Sequence, residues 1–284
     1  MTRRTKAIAA TCAVLVAAAA AWRWLAPHPP ASAGVVIDGG DGGRLPRADA
    51  SQEGFDERAL QATVATVKDQ LAALLVVRHG HLVLEQYGHG ADADTLFDGG
   101  ELARAVVLLA TGIAVDRYGM AIPDTTRLDG RRLASAVASA SGQPYPQFLS
   151  RHLWRPLDAA PARWLNPGMR ARAGDWMRVA ELLLHDGRFE GTQVVPPGWI
   201  ARLGAPRGPL GAEPFRAGEV LVLHGGATML WLAPARELSI LYVDGSPTSG
   251  FAGDETRLPR MILRSLREQQ SSSGTRLDEL VPGH

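Results

Sequence analysis

The chain has one cysteine, Cys12, and two lysines, Lys6 and Lys68, in 284 residues. Cys12 lies inside an apolar N-terminal stretch and reads as one of its small apolar residues. Nothing after it carries a thiol, which excludes disulfides and thiolate chemistry from the rest of the protein. Every basic residue after Lys68 is Arg or His. A guanidinium keeps its charge, so no deprotonated amine is available there as a base. Net charge is missing too. Thirty Lys and Arg stand against 29 Asp and Glu, for a balance of +1 with both signs interleaved. That leaves no electrostatic case for nucleic acid and reads as a solvated surface. Metal ligands are also lacking. His79, His81 and His89 gather around one hairpin, but no carboxylate or cysteine stands at a diagnostic spacing from them. The sequence calls for no metal and no cofactor.

What is present begins with a targeting signal. Arg3, Arg4 and Lys6 make a basic start, residues 7–21 an almost unbroken apolar run, and Trp22 and Trp24 follow as interfacial aromatics. Ala31-Ser32-Ala33 offers a small-x-small cleavage site. A cleaved signal peptide and an uncleaved anchor both fit. The Trp pair favours the anchor, though the run is shorter than the roughly 20 residues of a comfortable span. Either way the folded part leaves the cytoplasm, to the periplasm or to the outer face of an inner membrane. Residues 1–26 are therefore read as signal or anchor. Residues 27–54, rich in Pro, Gly, Ala and Asp, read as a linker.

The expected domain spans residues 55–268. A helix starts near Asp56 and runs through Leu60, Val64, Val67 and Leu71 at helical spacing. Residues 74–77 and 81–87 form a hairpin about Arg78-His79-Gly80. Residues 101–118 form a helix apolar on most sides, hence buried, with Gly119 as its C-cap. Shorter helices follow at 133–140, 145–154, 176–185 and 197–203. Strands at 220–223, 229–232 and 238–243 and a closing helix at 256–268 complete the domain. Residues 269–284 are Ser-rich and polar and read as a disordered tail. This is an α+β plan: an antiparallel sheet built from both ends of the chain and covered by helices.

The segments "LLVVRHGHLVLEQYGHGADADTLFD", "LFDGGELARAVVLLATGIAVDRYG", "SGQPYPQFLSRHLWRPLDA", "ELLLHDGRFEGTQVVPPGWI" and "LHGGATMLWLAPARELSILYVDG" stand in this order between residues 55 and 266. In that order they resemble the serine β-lactamase and penicillin-binding-protein-like hydrolases, with their esterase and amidase relatives. The resemblance implies a β-lactamase/transpeptidase-like sheet flanked by helices. It also implies three motifs. The first, Ser-x-x-Lys, opens the buried helix with a serine whose proton the lysine removes. Here Glu101-Leu102-Ala103-Arg104 stands in that place. Glu101 is already an anion, Arg104 cannot act as a base, and one helical turn apart the two are expected to pair. The second motif falls on Thr125-Thr126-Arg127, where neither Thr125 nor Arg127 matches. The stretch leading to it is short, which implies a truncated helical lobe. The third, His-x-Gly in esterase-like relatives, survives as His224-Gly225-Gly226.

These replacements imply a β-lactamase-related envelope protein without serine-hydrolase chemistry. His224, Gly225 and Gly226 remain to bind a ligand, either a peptidoglycan fragment or an envelope protein. The alternative is an esterase- or amidase-like hydrolase with a relocated site, in which His224 is the base and the nucleophile is a water or a serine, Ser135, Ser139 and Ser141 being the nearest in sequence. Trp154, Trp164, Trp176 and Trp199 read as core packing at helix ends rather than as a binding groove.

Overall fold

The structure, a computed structural model, describes residues 34–123, 129–166, 168–203, 221–245 and 257–267. In chain order the elements are β1 (Val35–Ile37), α1 (Glu57–Val67), β2 (Leu71–Arg78), β3 (His81–Tyr87), β4 (Leu96–Asp98) and α2 (Glu101–Tyr118). Then come α3 (Gly130–Ser141), α4 (Tyr145–Leu149) with a π-helical continuation Ser150–Trp154, β5 (Ala162–Trp164), β6 (Met169–Arg172) and α5 (Ala173–Leu184). The chain continues through β7 (Arg188–Phe189), β8 (Thr192–Gln193), α6 (Trp199–Leu203), β9 (Leu221–Gly225), β10 (Thr228–Ala233), β11 (Leu238–Asp244) and α7 (Arg257–Arg264).

The main sheet is antiparallel, in the order β3-β2-β11-β10-β9. Its middle strands are buried on both faces, because successive side chains alternate across a strand. In β2, Ala73, Leu75 and Val77 enter one core while Leu74 and Val76 enter the other. In β10, Leu230 and Leu232 face the first core, and Met229 and Trp231 the second. The first core also takes in α2 and α5; the second takes in Leu60 and Val64 of α1 and Ile262 and Leu263 of α7. The expected sheet, drawn from both ends of the chain with helices on its faces, is the one observed. Helix α1 begins where Asp56 accepts a hydrogen bond from the Ala59 amide, 3.0 Å away. It stops at Val67, short of the expected end, because Leu71 already belongs to β2.

A second sheet, β1-β5-β6-β4, has no counterpart in the sequence pattern. Its strands are only three or four residues long, too short for an alternating pattern to register. It positions the helices that matter. β4 runs into α2 and β6 runs into α5; the two strands are antiparallel, so the helices leave from opposite ends of the pair.

Residues 34–54 correct the linker reading. The compact unit begins at Gly34, β1 pairs with β5, and Ile37 and Leu45 are buried. Gly39 and Gly42 are there for close approach, not for freedom. A side chain at Gly39 would overlap the Ala159 carbonyl, and one at Gly42 would sit 2.7 Å from the Ala160 methyl. Arg178 donates to the Gly43 carbonyl, Arg47 pairs with Glu85, and the Leu82 amide donates to Pro46 at 2.7 Å. Composition alone cannot separate a glycine that lets a chain wander from one that lets it press against a neighbour.

The expected signal or anchor at 1–26 and the tail at 269–284 lie outside the described residues. Among the described residues no helix is long and apolar enough to cross a membrane.

Candidate functional site

The start of α2 is built from glycine and a crossing strand. Gly100 is its N-cap, at φ 50° and ψ −123°, and no side chain caps the helix. The amide of Gly100 donates to Asp98 Oδ1 at 3.0 Å, and Gly99 donates to the Met169 carbonyl at 2.9 Å. β9 passes over this turn. A side chain on Gly100 would run into the Gly225 carbonyl, and one on Gly225 would lie 2.6 Å from the Glu101 nitrogen. Next door, Thr228 donates its hydroxyl to the Asp98 carbonyl at 2.5 Å and pairs with Gly225 across the β9–β10 ladder. The His-x-Gly segment and the start of the buried helix, far apart in sequence, are therefore in backbone contact.

Gly100→Ala is expected to destabilise the domain by about 1–3 kcal/mol, from positive-φ strain together with the collision with Gly225. Thermal unfolding measures it. A variant as stable as the parent would show that β9 does not press on this turn.

Glu101 occupies the first helical position and Arg104 the position one turn on. Their ion pair forms, with Arg104 Nη1 3.5 Å from Glu101 Oε2. Both side chains are about one-third exposed, at 35% and 38%, so the pair is loose and solvated and worth at most about 1 kcal/mol. The helix N-terminus also favours the Glu101 carboxylate. A ligand arriving here meets a carboxylate and a permanent cation, but no hydroxyl at the helix start.

His224 lies on β9 opposite Met229, half-buried, with Gly225 next along the strand and Gly226 in the following turn. Thr125 and Arg127 lie outside the described residues. The candidate nucleophiles of the alternative reading sit on α3. Ser135 and Ser139 are exposed there, and Ser141 gives its hydroxyl to the Val137 carbonyl at 2.8 Å. α3 presents Leu133, Ala134 and Val137 to the core, so none of the three serines occupies a strand-to-helix turn.

The four tryptophans weighed as a groove are all buried. Trp176 donates to the Phe97 carbonyl at 3.2 Å, Trp199 to Leu108 at 2.9 Å and Trp154 to Ala160 at 2.7 Å. They are core residues. The hairpin histidines turn toward Glu53 instead, whose two oxygens lie 2.6 Å from His79 Nδ1 and 3.1 Å from His81 Nδ1. His89 lies elsewhere, with Nε2 2.9 Å from the Asp69 carbonyl. Among the described residues no group of three or more His, Cys, Asp or Glu is arranged to hold a metal.

Three buried ionisable groups carry no sequence signal. Asp175, in the first turn of α5, accepts from the Ala160 amide at 3.2 Å and from Arg178 at 3.0 Å through Oδ1. Its Oδ2 is buried without a hydrogen-bond partner. Burial pushes its carboxyl up to about 6, against the pull of Arg178. Glu181 accepts from Ser239 at 3.0 Å, and burial raises it as well. His152 has Nδ1 3.2 Å from Arg117 and Nε2 2.8 Å from the Tyr118 hydroxyl. Arginine can only donate, so Nδ1 accepts and Nε2 carries the proton. Burial, then Arg117, hold this ring below the usual histidine range, in its neutral form. No spacing rule marks such groups, because each is defined by what covers it.

A cavity of about 490 Å³ lies between Arg47, Gln52, Glu57, Leu60 and Val83. Another of about 160 Å³ borders Asp175, Arg178, Glu85 and Tyr87. Neither is lined by Glu101, Arg104 or His224.

No protein-family model matches the sequence, and no curated protein matches it significantly. Solved structures do. A candidate 6-aminohexanoate-dimer hydrolase from Bacillus anthracis superposes with a TM-score of 0.59 at 12% identity, over 82% of this chain and 89% of the other. A candidate β-lactamase from Bacteroides dorei gives 0.60 at 12% identity, over 74% and 98%. FmtA from Staphylococcus aureus gives 0.54 at 9% identity, over 80% and 93%. Identities this low speak for architecture and not for chemistry. Two-faced antiparallel sheet, buried helix and crossing His-x-Gly strand together give this chain the fold of the β-lactamase and penicillin-binding-protein-like serine hydrolases.

Proposed function

We propose that this is a β-lactamase-related envelope protein that has given up acyl transfer and acts by binding. The Glu101–Arg104 ion pair at the start of α2 carries the reading. Acyl transfer on this scaffold needs a hydroxyl at that helix start and a base able to take its proton. A carboxylate there repels the negative charge that develops on an attacked carbonyl, and a guanidinium does not accept a proton. The positively charged start and apolar run of residues 3–21 support export, with the chain held at an inner membrane or released to the periplasm. Its ligand would be a peptidoglycan fragment or another envelope protein, met by His224, Gly225 and Gly226 beside the ion pair.

Labelling tests the absence of chemistry. The purified chain is expected to take up neither a fluorescent penicillin nor a fluorophosphonate. It should also hydrolyse nitrophenyl esters at the same background rate as its His224→Ala variant. A covalent adduct, or ester turnover lost in that variant, would replace this reading with an active hydrolase.

A further inference from the structure

The end of α2 meets the π-helical segment Ser150–Trp154 through one histidine. The backbone there is unusual. The Arg155 amide reaches back five residues to the Ser150 carbonyl, at 3.0 Å, where an α-helix would reach back four. Turns of this kind are rare and concentrate at functional sites. Leu153 and Trp154 fix one side of the segment in the first core. His152 fixes the other. It is 8% exposed and lies against Phe148 of α4, with ring centroids 4.7 Å apart, and edge-on to Tyr118 of α2, at 5.5 Å. Nδ1 accepts from the Arg117 guanidinium and Nε2 donates to the Tyr118 hydroxyl, whose oxygen also accepts from the Gln143 amide at 3.2 Å. The charges acting on the ring are Arg117 on α2 and Arg151 on its own segment, both cations. Among the described residues no carboxylate offsets them.

We propose that His152 is an acid-released latch: neutral, it pins the π-helical segment to the end of α2, and protonated, it lets go. The reason is the tautomer. Arginine never accepts, so the contact with Arg117 exists only while Nδ1 is bare. A proton on Nδ1 sets donor against donor and cation against cation, in a site where burial already penalises charge. The ring escapes by leaving its site for water. Linkage gives the sign: a ring held below the ordinary histidine range loses its stabilising effect as pH falls through that range, and neutral solution leaves the latch closed. Asp175 and Glu181 act in the opposite sense, since carboxyls that are raised in the fold favour it in acid. Loosening confined to this segment is therefore separable from a change in the whole domain. The latch lies at the other end of α2 from the Glu101–Arg104 pair and does not depend on the function proposed for that pair.

The test is amide hydrogen exchange of the full chain at about pH 7.5 and about pH 5.5, corrected for the intrinsic pH dependence of exchange. The reporters are the amides of Arg155, Leu157 and Ala159, which bond to the carbonyls of Ser150, Leu153 and Trp154 at 3.0, 3.2 and 3.1 Å. Strands β10 and β11 are the reference. An imidazole that titrates with its ordinary value once released favours the open form by at most about tenfold over this interval. Protection at the three amides is expected to fall by about three- to tenfold, with β10 and β11 unchanged or better protected. His152→Gln offers an acceptor and donors without titrating, so its protection should be the same at both pH values. Arg117→Gln, at an exposed position, replaces the cation by an amide that can accept from Nδ1, and should reduce the acid response. Protection unchanged by acid in the parent, or an equal fall in β10 and β11, would overturn the proposal without any variant having to fold. So would a response that persists in His152→Gln or is undiminished in Arg117→Gln.

Discussion

Trp176→Ala is expected to cost about 3–5 kcal/mol, the range for deleting a large aromatic from a close-packed core. Trp176 is fully buried in α5 and packs edge-on to Trp154, with ring centroids 6.2 Å apart. Its indole also meets Gly99, where an added side chain would collide with the ring, and donates to the Phe97 carbonyl of β4. One side chain thus supports the strand and turn from which α2 begins. Removing it opens a cavity and leaves the Phe97 carbonyl short of a buried donor. For a domain of this size the loss corresponds to a fall in melting temperature of about 10 °C or more. The start of α2 should loosen first, so amide exchange at Gly99 to Ala103 should rise more than exchange in β11. A variant within about 1 kcal/mol of the parent would show that the helix start is held some other way.

Arg178→Met is expected to be the second severe change, and its cost should depend on pH. Arg178 is buried and divides its donors between Asp175 and the Gly43 carbonyl. Breaking a buried pair by removing one partner costs about 3–5 kcal/mol, chiefly because the remaining charge is stranded. The stranded group can escape by taking a proton. In the parent, burial already raises the Asp175 carboxyl from 3.8 to about 6. A carboxyl whose folded value is raised favours the folded state when protonated. Its contribution is present in full below about pH 4 and is lost as pH rises through 6, some 3 kcal/mol in all. Glu181 is raised too, so its contribution has the same sign. The lowered value of His152 works the other way, with stability lost as pH falls below the ordinary histidine range. Comparing variant with parent at each pH cancels His152 and Glu181. Without Arg178 the Asp175 carboxyl rises further, so the gap in melting temperature should be wide at pH 7.5 and narrow near pH 5. A gap of constant width would mean that Asp175 is not the group left stranded.

Much of the scaffold is legible in the residue pattern. The long buried helix announces itself through an apolar run ending at Gly119, which caps it in the left-handed region at φ 64°. The pairs β2–β3 and β10–β11 show as apolar runs joined by short turns. The second sheet does not show, because pairing of three-residue strands is decided by neighbours and not by pattern. Gly39 and Gly42 mislead for a related reason, since a glycine reports that space is tight only once the neighbour is known. The site divides in the same way. Glu101 and Arg104 can be found by their place at the head of the helix, and one turn of spacing is enough to predict their pairing. Asp175 cannot, because its altered acidity comes from what α5, the Ala160 turn and residue 43 jointly exclude from water.

Residue identity by itself determines which side chains are on hand: no lysine follows position 68, so the helix that opens at Glu101 carries no amine base of its own. Tertiary structure alone decides that Gly225 lies against the nitrogen of Glu101 and that the glycine-rich segment after β1 belongs to the folded body. Protonation capacity is a property of a side chain, whereas contact between residues more than a hundred positions apart exists only once the sheet has closed and the backbone polar groups have found their partners.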